Sequence, residues 1–408
     1  MISRQSLWPI SRTVKPIYVH RLVSTMTHIS SRVKSVSGSP TVRLAGLVAE
    51  MRAKGQQVIS FSIGEPDFPT PAHIVDAAKK ALDAGFTKYT GSAGIPELRQ
   101  AIAEKTAKEN GIAAKPENVL VSPAKHCIYI AVNSLVEGGD EVIIPDPCWI
   151  SYEPIVRLAG AKPVLVKATE DTNFELSPES VAAAITDRTR LIIMNSPSNP
   201  GGNVFSKETI KGLTDLAKDH DLYIVSDEIY EKLIYEGKHY SPGSFDGMFE
   251  RTVTVNGFSK TYSMTGWRVG WMVADKPLIS EFSKVQEHTI TCCASFAQKA
   301  AVEALRGPTE PIDAMIKEFK ARRDLMAKCL KGLGVFDFKI PQGAFYFFPR
   351  YSMKVESRAL AEKLLKEAGV ALTPGADFGP SGEGHLRFSY ATSRQDIEKG
   401  LEKIGKVL

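Results

Sequence analysis

The sequence predicts an α/β protein: a large domain on a mostly parallel central sheet flanked by helices, then a smaller α+β domain. From Val58 onward, short apolar runs alternate with helix-like stretches. Apolar strands separated by helices belong to parallel sheets that are buried on both faces. Beyond about Pro308 this alternation gives way to one long charged amphipathic helix, followed by strands mixed with helices. Residues 1–38 read as an extension, 39–70 as an arm and part of the smaller domain, 71–308 as the large domain and 309–408 as the small one.

Ile74–Ala84 is helical, because Ile74, Ala77, Ala78 and Ala81 recur at helical spacing behind Pro71. Pro96–Asn110 is a second helix, closed by Gly111. Five short apolar strands follow, each running into turn residues. Val119–Val121 leads into Ser-Pro-Ala-Lys, and Glu141–Ile144 into Pro-Asp-Pro-Cys-Trp. Leu191–Met194 leads into Asn-Ser-Pro-Ser-Asn-Pro-Gly-Gly, and Tyr223–Ser226 into Asp-Glu-Ile-Tyr. Thr252–Val255 leads into the loop that carries Lys260. Helices such as Lys207–His220 lie between them. In the last part of the chain, helix Ile312–Leu330 precedes strands at Phe336–Ile340, Phe345–Phe348 and His385–Ser389. Helices at Ser357–Ala368 and Arg394–Leu408 surround these strands. Ligands of open α/β sheets bind beyond the carboxyl ends of the strands. The unusual residues of this chain sit at those ends, so segments distant in sequence should meet in one crevice.

With 408 residues, 43% hydrophobic and 24% charged, the chain suits two domains and a large core. Lys and Arg total 51 against 46 Asp and Glu, and a net charge of +5 is too small to argue for nucleic acid. No apolar run approaches the roughly 18 residues of a membrane span. Five scattered cysteines without Cys-x-x-Cys argue against a disulfide framework or zinc site and fit a reducing compartment. His-Glu-x-x-His, Gly-x-Ser-x-Gly and Gly-x-Gly-x-x-Gly are absent, and Phe258–Thr261 lacks the glycine that precedes a P-loop lysine. Metalloenzyme, hydrolase and NTPase readings thus lose their usual signatures. Before Glu50 there is no Asp or Glu, while Arg4, Arg12, Lys15, Arg21, Arg32, Lys34 and Arg43 lie among many Ser and Thr. This composition predicts an organelle transit peptide, mitochondrial ahead of plastid. An unstructured extension, or a wrongly called start with Met26 as the true beginning, in a cytoplasmic protein, is the alternative.

The chemistry centres on Lys260. It follows an apolar strand, and Arg268 follows it by eight residues, with small residues between them. A lysine whose ammonium is destabilised by neighbouring cations can form an imine with an aldehyde, and an arginine suits a phosphate. Asp227, at a strand end, is either a helix N-cap or a buried carboxylate that keeps a cofactor ring nitrogen protonated. Tyr230 is a core tyrosine or a donor to the phenolic oxygen of that ring. Asn199 lies in the turn Pro197-Ser-Asn-Pro-Gly-Gly202, where its amide could face a ligand. Trp149, in a Pro-rich loop, offers a flat ring for stacking. Arg387 sits mid-strand, where a charge is costly unless paired. A substrate carboxylate or an internal salt bridge would satisfy it.

From about Pro40 to the C-terminus these residues resemble a class I/II aminotransferase of pyridoxal-phosphate fold type I. The matching segments are Gly64–Phe68, Lys88–Gly94, Asn195–Gly202, Ser226–Tyr230, Ser259–Arg268 and Leu386–Thr392. The resemblance implies pyridoxal 5'-phosphate as cofactor. Lys260 resembles the lysine that holds the cofactor and shuttles the proton. Asp227 resembles the partner of the pyridine nitrogen, Asn199 and Tyr230 the donors to the phenolic oxygen, and Trp149 the stacking ring. Arg268, Ser259 and the backbone at Ala124 and Lys125 resemble the phosphate cup. Tyr89 resembles a tyrosine that reaches the phosphate from the other subunit, which implies a homodimer. Arg387, with Gly64 nearby, resembles the clamp on the substrate α-carboxylate.

Within the family, the chain is most similar to the bacterial-type aspartate and aspartate/prephenate aminotransferases. There a lysine matching Lys125 binds the distal carboxylate of aspartate or glutamate. The animal-type enzymes use an arginine from the neighbouring subunit, and this chain has no arginine from Lys276 to Leu305. The implied reaction moves an amino group from L-aspartate or L-glutamate to a 2-oxo acid such as 2-oxoglutarate. Aromatic, prephenate, alanine or kynurenine specificity, or a lyase or synthase on the same scaffold, is the alternative. Pro123 for Gly, Gly201 for Thr and Cys148 for Tyr depart from the subgroup's pattern, and the last puts the substrate in doubt.

Overall fold

A computed structural model describes residues 29–408. The first 28 residues of the expected transit peptide lie outside it. Fourteen strands occur in chain order among the described residues. They are β1 Ile59–Ser60, β2 Val119–Val121, β3 Glu141–Asp146, β4 Lys162–Lys167, β5 Thr189–Asn195, β6 Tyr223–Asp227, β7 Thr252–Gly257 and β8 Gly270–Val273. The short strands β9 Phe336–Asp337, β10 Tyr346–Phe347, β11 Arg350–Tyr351, β12 Val370–Ala371, β13 Thr373–Pro374 and β14 Leu386–Ser389 follow.

Strands β2 to β8 form one seven-stranded sheet in the order β2-β8-β7-β6-β5-β3-β4. The pairs from β4 to β7 are parallel, and β8 runs antiparallel to both of its neighbours. Strand side chains alternate between faces. Val142, Ile144, Leu191 and Ile193 pack with helices Ala124–Leu135 and Lys276–Glu287. Ile143, Ile192, Met194 and Ile224 pack on the other side with helix Lys207–Asp219. Every residue of β3, β6 except Tyr223, β7 and β8 is buried. Burial on both faces shows as consecutive apolar residues at Val142–Ile144, Ile224–Val225 and Trp271–Val273, whereas β7 alternates Thr and Val with both buried.

The expected helix Pro96–Asn110 is α-helical to Lys105, then takes a π-helical turn over Thr106–Asn110, and ends at Gly111 with φ 70°. Helix Ser357–Lys363 continues the same way through Leu364–Ala368 to Gly369. The expected strand Phe336–Ile340 is shorter: only Phe336 and Asp337 pair, because their partner β11 offers just two residues. β14 lies between β10 and β13, and helices Glu310–Leu333 and Arg394–Gly405 pack beside this sheet. No helix among the described residues is long and apolar enough to cross a membrane.

Candidate active site

The carboxyl ends of the parallel strands carry most of the predicted residues. In register, Asn195 closes β5 beside Asp227 at the end of β6, and Asp227 lies beside Val255 of β7. Asn199, Trp149 and Lys260 stand in the loops just beyond β5, β3 and β7.

Asp227 is 5% exposed. It accepts a hydrogen bond from the Tyr152 hydroxyl at 2.7 Å and one from the Ile229 amide at 3.3 Å. No helix starts at Asp227, so it is not a helix cap. Burial raises its pKa to about 6, against the relief given by Tyr152 and the Ile229 amide. A buried carboxylate with two neutral donors and a raised pKa suits a cationic partner. Asn195 Nδ2 donates to the Asp227 carbonyl at 2.8 Å, and its Oδ1 accepts from the Asn199 amide at 2.8 Å. This link carries Asn199 to the same end of the sheet.

Arg387 is 2% exposed and meets only neutral acceptors. Its Nη1 donates to Asn199 Oδ1 at 2.9 Å, and its Nη2 donates to the Ser62 carbonyl at 2.8 Å. Its buried Nε has no partner among the described residues. The Tyr346 ring lies 4.4 Å from the guanidinium and the Phe378 ring 5.0 Å. None of its ion-pair contacts among the described residues reaches a carboxylate, so the internal salt bridge is absent. A buried charge left so costs several kcal/mol, and a small carboxylate would offset it. Arg387 orients the Asn199 amide through Oδ1, and its Nδ2 has no acceptor among the described residues.

Lys260 is half-buried, and its Nζ donates to the Gly64 carbonyl. Burial lowers its pKa to about 8; Glu65 opposes the shift, and Arg387 and Arg268 add to it. Tyr230 is buried, with its hydroxyl 2.9 Å from that of Tyr346. Trp149 packs edge-on against Tyr152, with ring centroids 5.3 Å apart. Lys125 Nζ lies 4.8 Å from the Trp149 ring, and burial followed by Arg268 lowers its pKa.

A phosphate-sized anion has a cradle at helix Ala124–Leu135. Its capping residue Pro123 has no N–H to offer, and the Pro123 carbonyl takes the amides of His126 and Cys127. The amides of Ala124 and Lys125 have no acceptor among the described residues. β8 passes closely beneath: a β-carbon at Gly270 would come 2.9 Å from the Ala124 nitrogen. Arg268 is exposed, at φ 56°, and its Nη1 donates to the Thr265 carbonyl at 2.7 Å. Ser259, half-buried, precedes Lys260. Free amides at a helix start bind phosphates. A buried acid, a lysine of lowered pKa, a free amide donor and this cradle together fit pyridoxal phosphate. Tyr89 is 87% exposed.

One departure, Gly201, finds a physical reason. A β-carbon at Gly201 would come 2.6 Å from Asn203 Oδ1, so the glycine goes with the buried Asn203. Cys148 is buried, and burial pushes its thiol pKa up. It lines a pocket with Pro147, Trp149, Phe174, Asn199 and Gly201. Sequence reasoning missed Tyr152, Asn195 and Tyr346. Tyr152 had one signal, its place three residues after Trp149, one helical turn on. Elsewhere, Glu228, Glu231 and His239 bring ligand atoms within 4.8 Å of one another. Lys105 already pairs with Glu231, and Asn110 Nδ2 donates to both carboxylates. The chain thus supplies its own cation there.

The family described as Aminotransferase class I and II matches residues 56–404. An aspartate aminotransferase of Pyrococcus abyssi is 44% identical over 386 residues, which cover 93% of this chain and 98% of that one. Aromatic-amino-acid aminotransferase 2 of Thermococcus litoralis is 42% identical with the same coverage. The structure of the aspartate aminotransferase of Thermus thermophilus with maleate aligns at a TM-score of 0.90 and 41% identity, over 94% of this chain and 100% of that one. With sequence, fold and donor set in agreement, the chain belongs to the class I and II aminotransferases, enzymes that move amino groups with pyridoxal phosphate.

Proposed function

We propose that the protein transfers the amino group of L-aspartate or L-glutamate to a 2-oxo acid such as 2-oxoglutarate. The observation that carries this reading is a pair of cations, Arg387 and Lys125, in one crevice. Neither has a carboxylate within ion-pair distance among the described residues, and a dicarboxylic amino acid brings two. When bound, pyridoxal phosphate supplies an aldehyde and a ring that draws electron density from the carbon losing its proton. Lys260 would hold the cofactor and then carry that proton. Asp227 would hold the ring-nitrogen proton, with Tyr152 fixing the carboxylate. Asn199 Nδ2 and Tyr230 would donate to the phenolic oxygen, and Trp149 would cover the ring. The amides of Ala124 and Lys125, with Ser259 and Arg268, would hold the phosphate.

A panel of amino donors followed by absorbance tests the substrate. In Lys125→Ala, KM for aspartate and glutamate should rise about 10–100-fold, against less than about 3-fold for an aromatic donor. Equal losses for both classes would remove the dicarboxylate reading. The rival reading, an aromatic donor, is supported by the Thermococcus litoralis relative and by Cys148 where a larger ring is frequent. It predicts the higher kcat/KM for phenylalanine or tyrosine in the same panel.

The homodimer belongs to the same proposal. Tyr89, 87% exposed, and the exposed Arg268 support a site completed by the partner subunit's Tyr89. Light scattering should give twice the chain mass, and Tyr89→Phe should weaken cofactor binding by roughly 10-fold, the worth of one hydrogen bond to a charged group. A monomer with undiminished cofactor affinity would count against it.

A further inference from the structure

We infer that Tyr346 is a positioning residue: its hydroxyl donates to Tyr230 and thereby aims the Tyr230 proton at the cofactor's phenolic oxygen. The inference rests on the assignment of Tyr230 to that oxygen.

Tyr346, on β10, is 1% exposed, and its hydroxyl lies 2.9 Å from that of Tyr230. Neither hydroxyl has another hydrogen-bond partner among the described residues. Two phenols in one such contact place a single proton between them, and the other proton points elsewhere. If Tyr230 donated, the Tyr346 proton would be left in a closed shell. That shell holds the Tyr230 ring, edge-on with centroids 5.9 Å apart, and the Arg387 guanidinium 4.4 Å over the ring face. Gly64 closes it so tightly that a β-carbon there would come 3.0 Å from the Tyr346 oxygen. A buried donor without an acceptor is unfavourable. If Tyr346 donates instead, its proton is satisfied and the Tyr230 proton is free.

Acidity favours the same direction. Burial raises both phenols and Arg387 draws both back, but Tyr230 stays well above its ordinary value while Tyr346 rises less. The more acidic phenol is the better donor. Donors in series also strengthen one another, so a Tyr230 that accepts from Tyr346 donates more strongly. Arg387 thus touches Asn199 by a hydrogen bond and Tyr346 by its ring face. The α-carboxylate clamp and both expected donors to the phenolic oxygen share one buried cluster.

Tyr346→Phe keeps the ring and its contact with Arg387 and removes only the hydroxyl. The readout is the visible absorbance of the bound cofactor in the holoenzyme, titrated with pH. A donor to the phenolic oxygen stabilises its anion, so weaker donation makes the neighbouring proton harder to remove. The midpoint in Tyr346→Phe should move up by about 0.3–0.7 pH unit. Its kcat should fall about 3–10-fold while KM for the amino donor stays within about twofold. Tyr230→Phe should move the midpoint further, and adding Tyr346→Phe to it should change nothing more. A residue that merely packs would leave the single-variant midpoint in place, or would add the same shift on the Tyr230→Phe background; either result overturns the inference. If Tyr230→Phe moves the midpoint and Tyr346→Phe does not, the inference alone fails. If neither moves it, the assignment of Tyr230 fails as well.

Discussion

Replacing Lys260 with Ala is expected to slow each half of the amino transfer by at least ~10⁴-fold. Two functions would be lost together: the amine that holds the cofactor and the base that moves the α-proton. The environment suits both. The ammonium is half-buried beyond β7, with Arg387 and Arg268 adding their charge, and its pKa lies near 8 rather than in the usual lysine range. At pH 8 about half of such amines are neutral and at pH 7 about one tenth, against roughly 0.4% and 0.04% for an exposed lysine. The parent's proton-transfer step should therefore quicken as pH rises towards 8. Single-turnover absorbance measures the effect, and reductive trapping of the cofactor should mark the Lys260 peptide in the parent alone. Half-reactions at parent speed in the variant would take Lys260 out of the chemistry.

Asp227→Asn should lower kcat by on the order of 10³-fold, because the carboxylate would no longer hold a proton on the ring nitrogen as electron density arrives. The same change should stabilise the cofactor-free protein. A folded pKa of about 6, above the ordinary carboxyl value, means that the folded chain binds the proton more tightly than the unfolded one. Stability from this group is present at low pH and is lost as pH rises from about 4 to about 6. At pH 7 the ionised Asp227 costs the cofactor-free chain roughly 2–3 kcal/mol, which Asn removes. Without cofactor the variant should melt several degrees higher than the parent at pH 7, with the gap closing towards pH 4. With cofactor the order should reverse. A variant that keeps parent kcat, or that melts lower without cofactor at pH 7, would contradict this account of the carboxylate.

The strands that bear the site are legible because burial on both faces favours continuous apolar runs, as in Val142–Ile144 and Leu191–Met194. Two strands of the seven-stranded sheet escaped that reading. β4 is an edge strand with Lys162 and Lys167 exposed, so its sequence looks like a charged surface. β8 starts at Gly270, two residues after Arg268, and its run Gly-Trp-Met-Val was hidden behind the Lys260 loop. In the site, Lys260, Asp227, Asn199 and Arg387 stand out because a charge or an amide at a strand end, or inside a strand, needs an explanation. Tyr152 and Tyr346 do not stand out. Tyr346 lies in Phe345-Tyr-Phe-Phe348, a run that looks like plain core.

Taken alone, the sequence determined the strand-and-helix alternation and the residue types gathered at strand ends, because both follow from local periodicity and the cost of burying charge. Only the tertiary structure decided which groups those residues meet. Tyr152 reaches Asp227 across 75 positions, Tyr346 reaches Tyr230 across 116 and Arg387 reaches Asn199 across 188. Hydrogen-bond partners at such separations are set by how strands and loops close in space, and no local pattern records that closure.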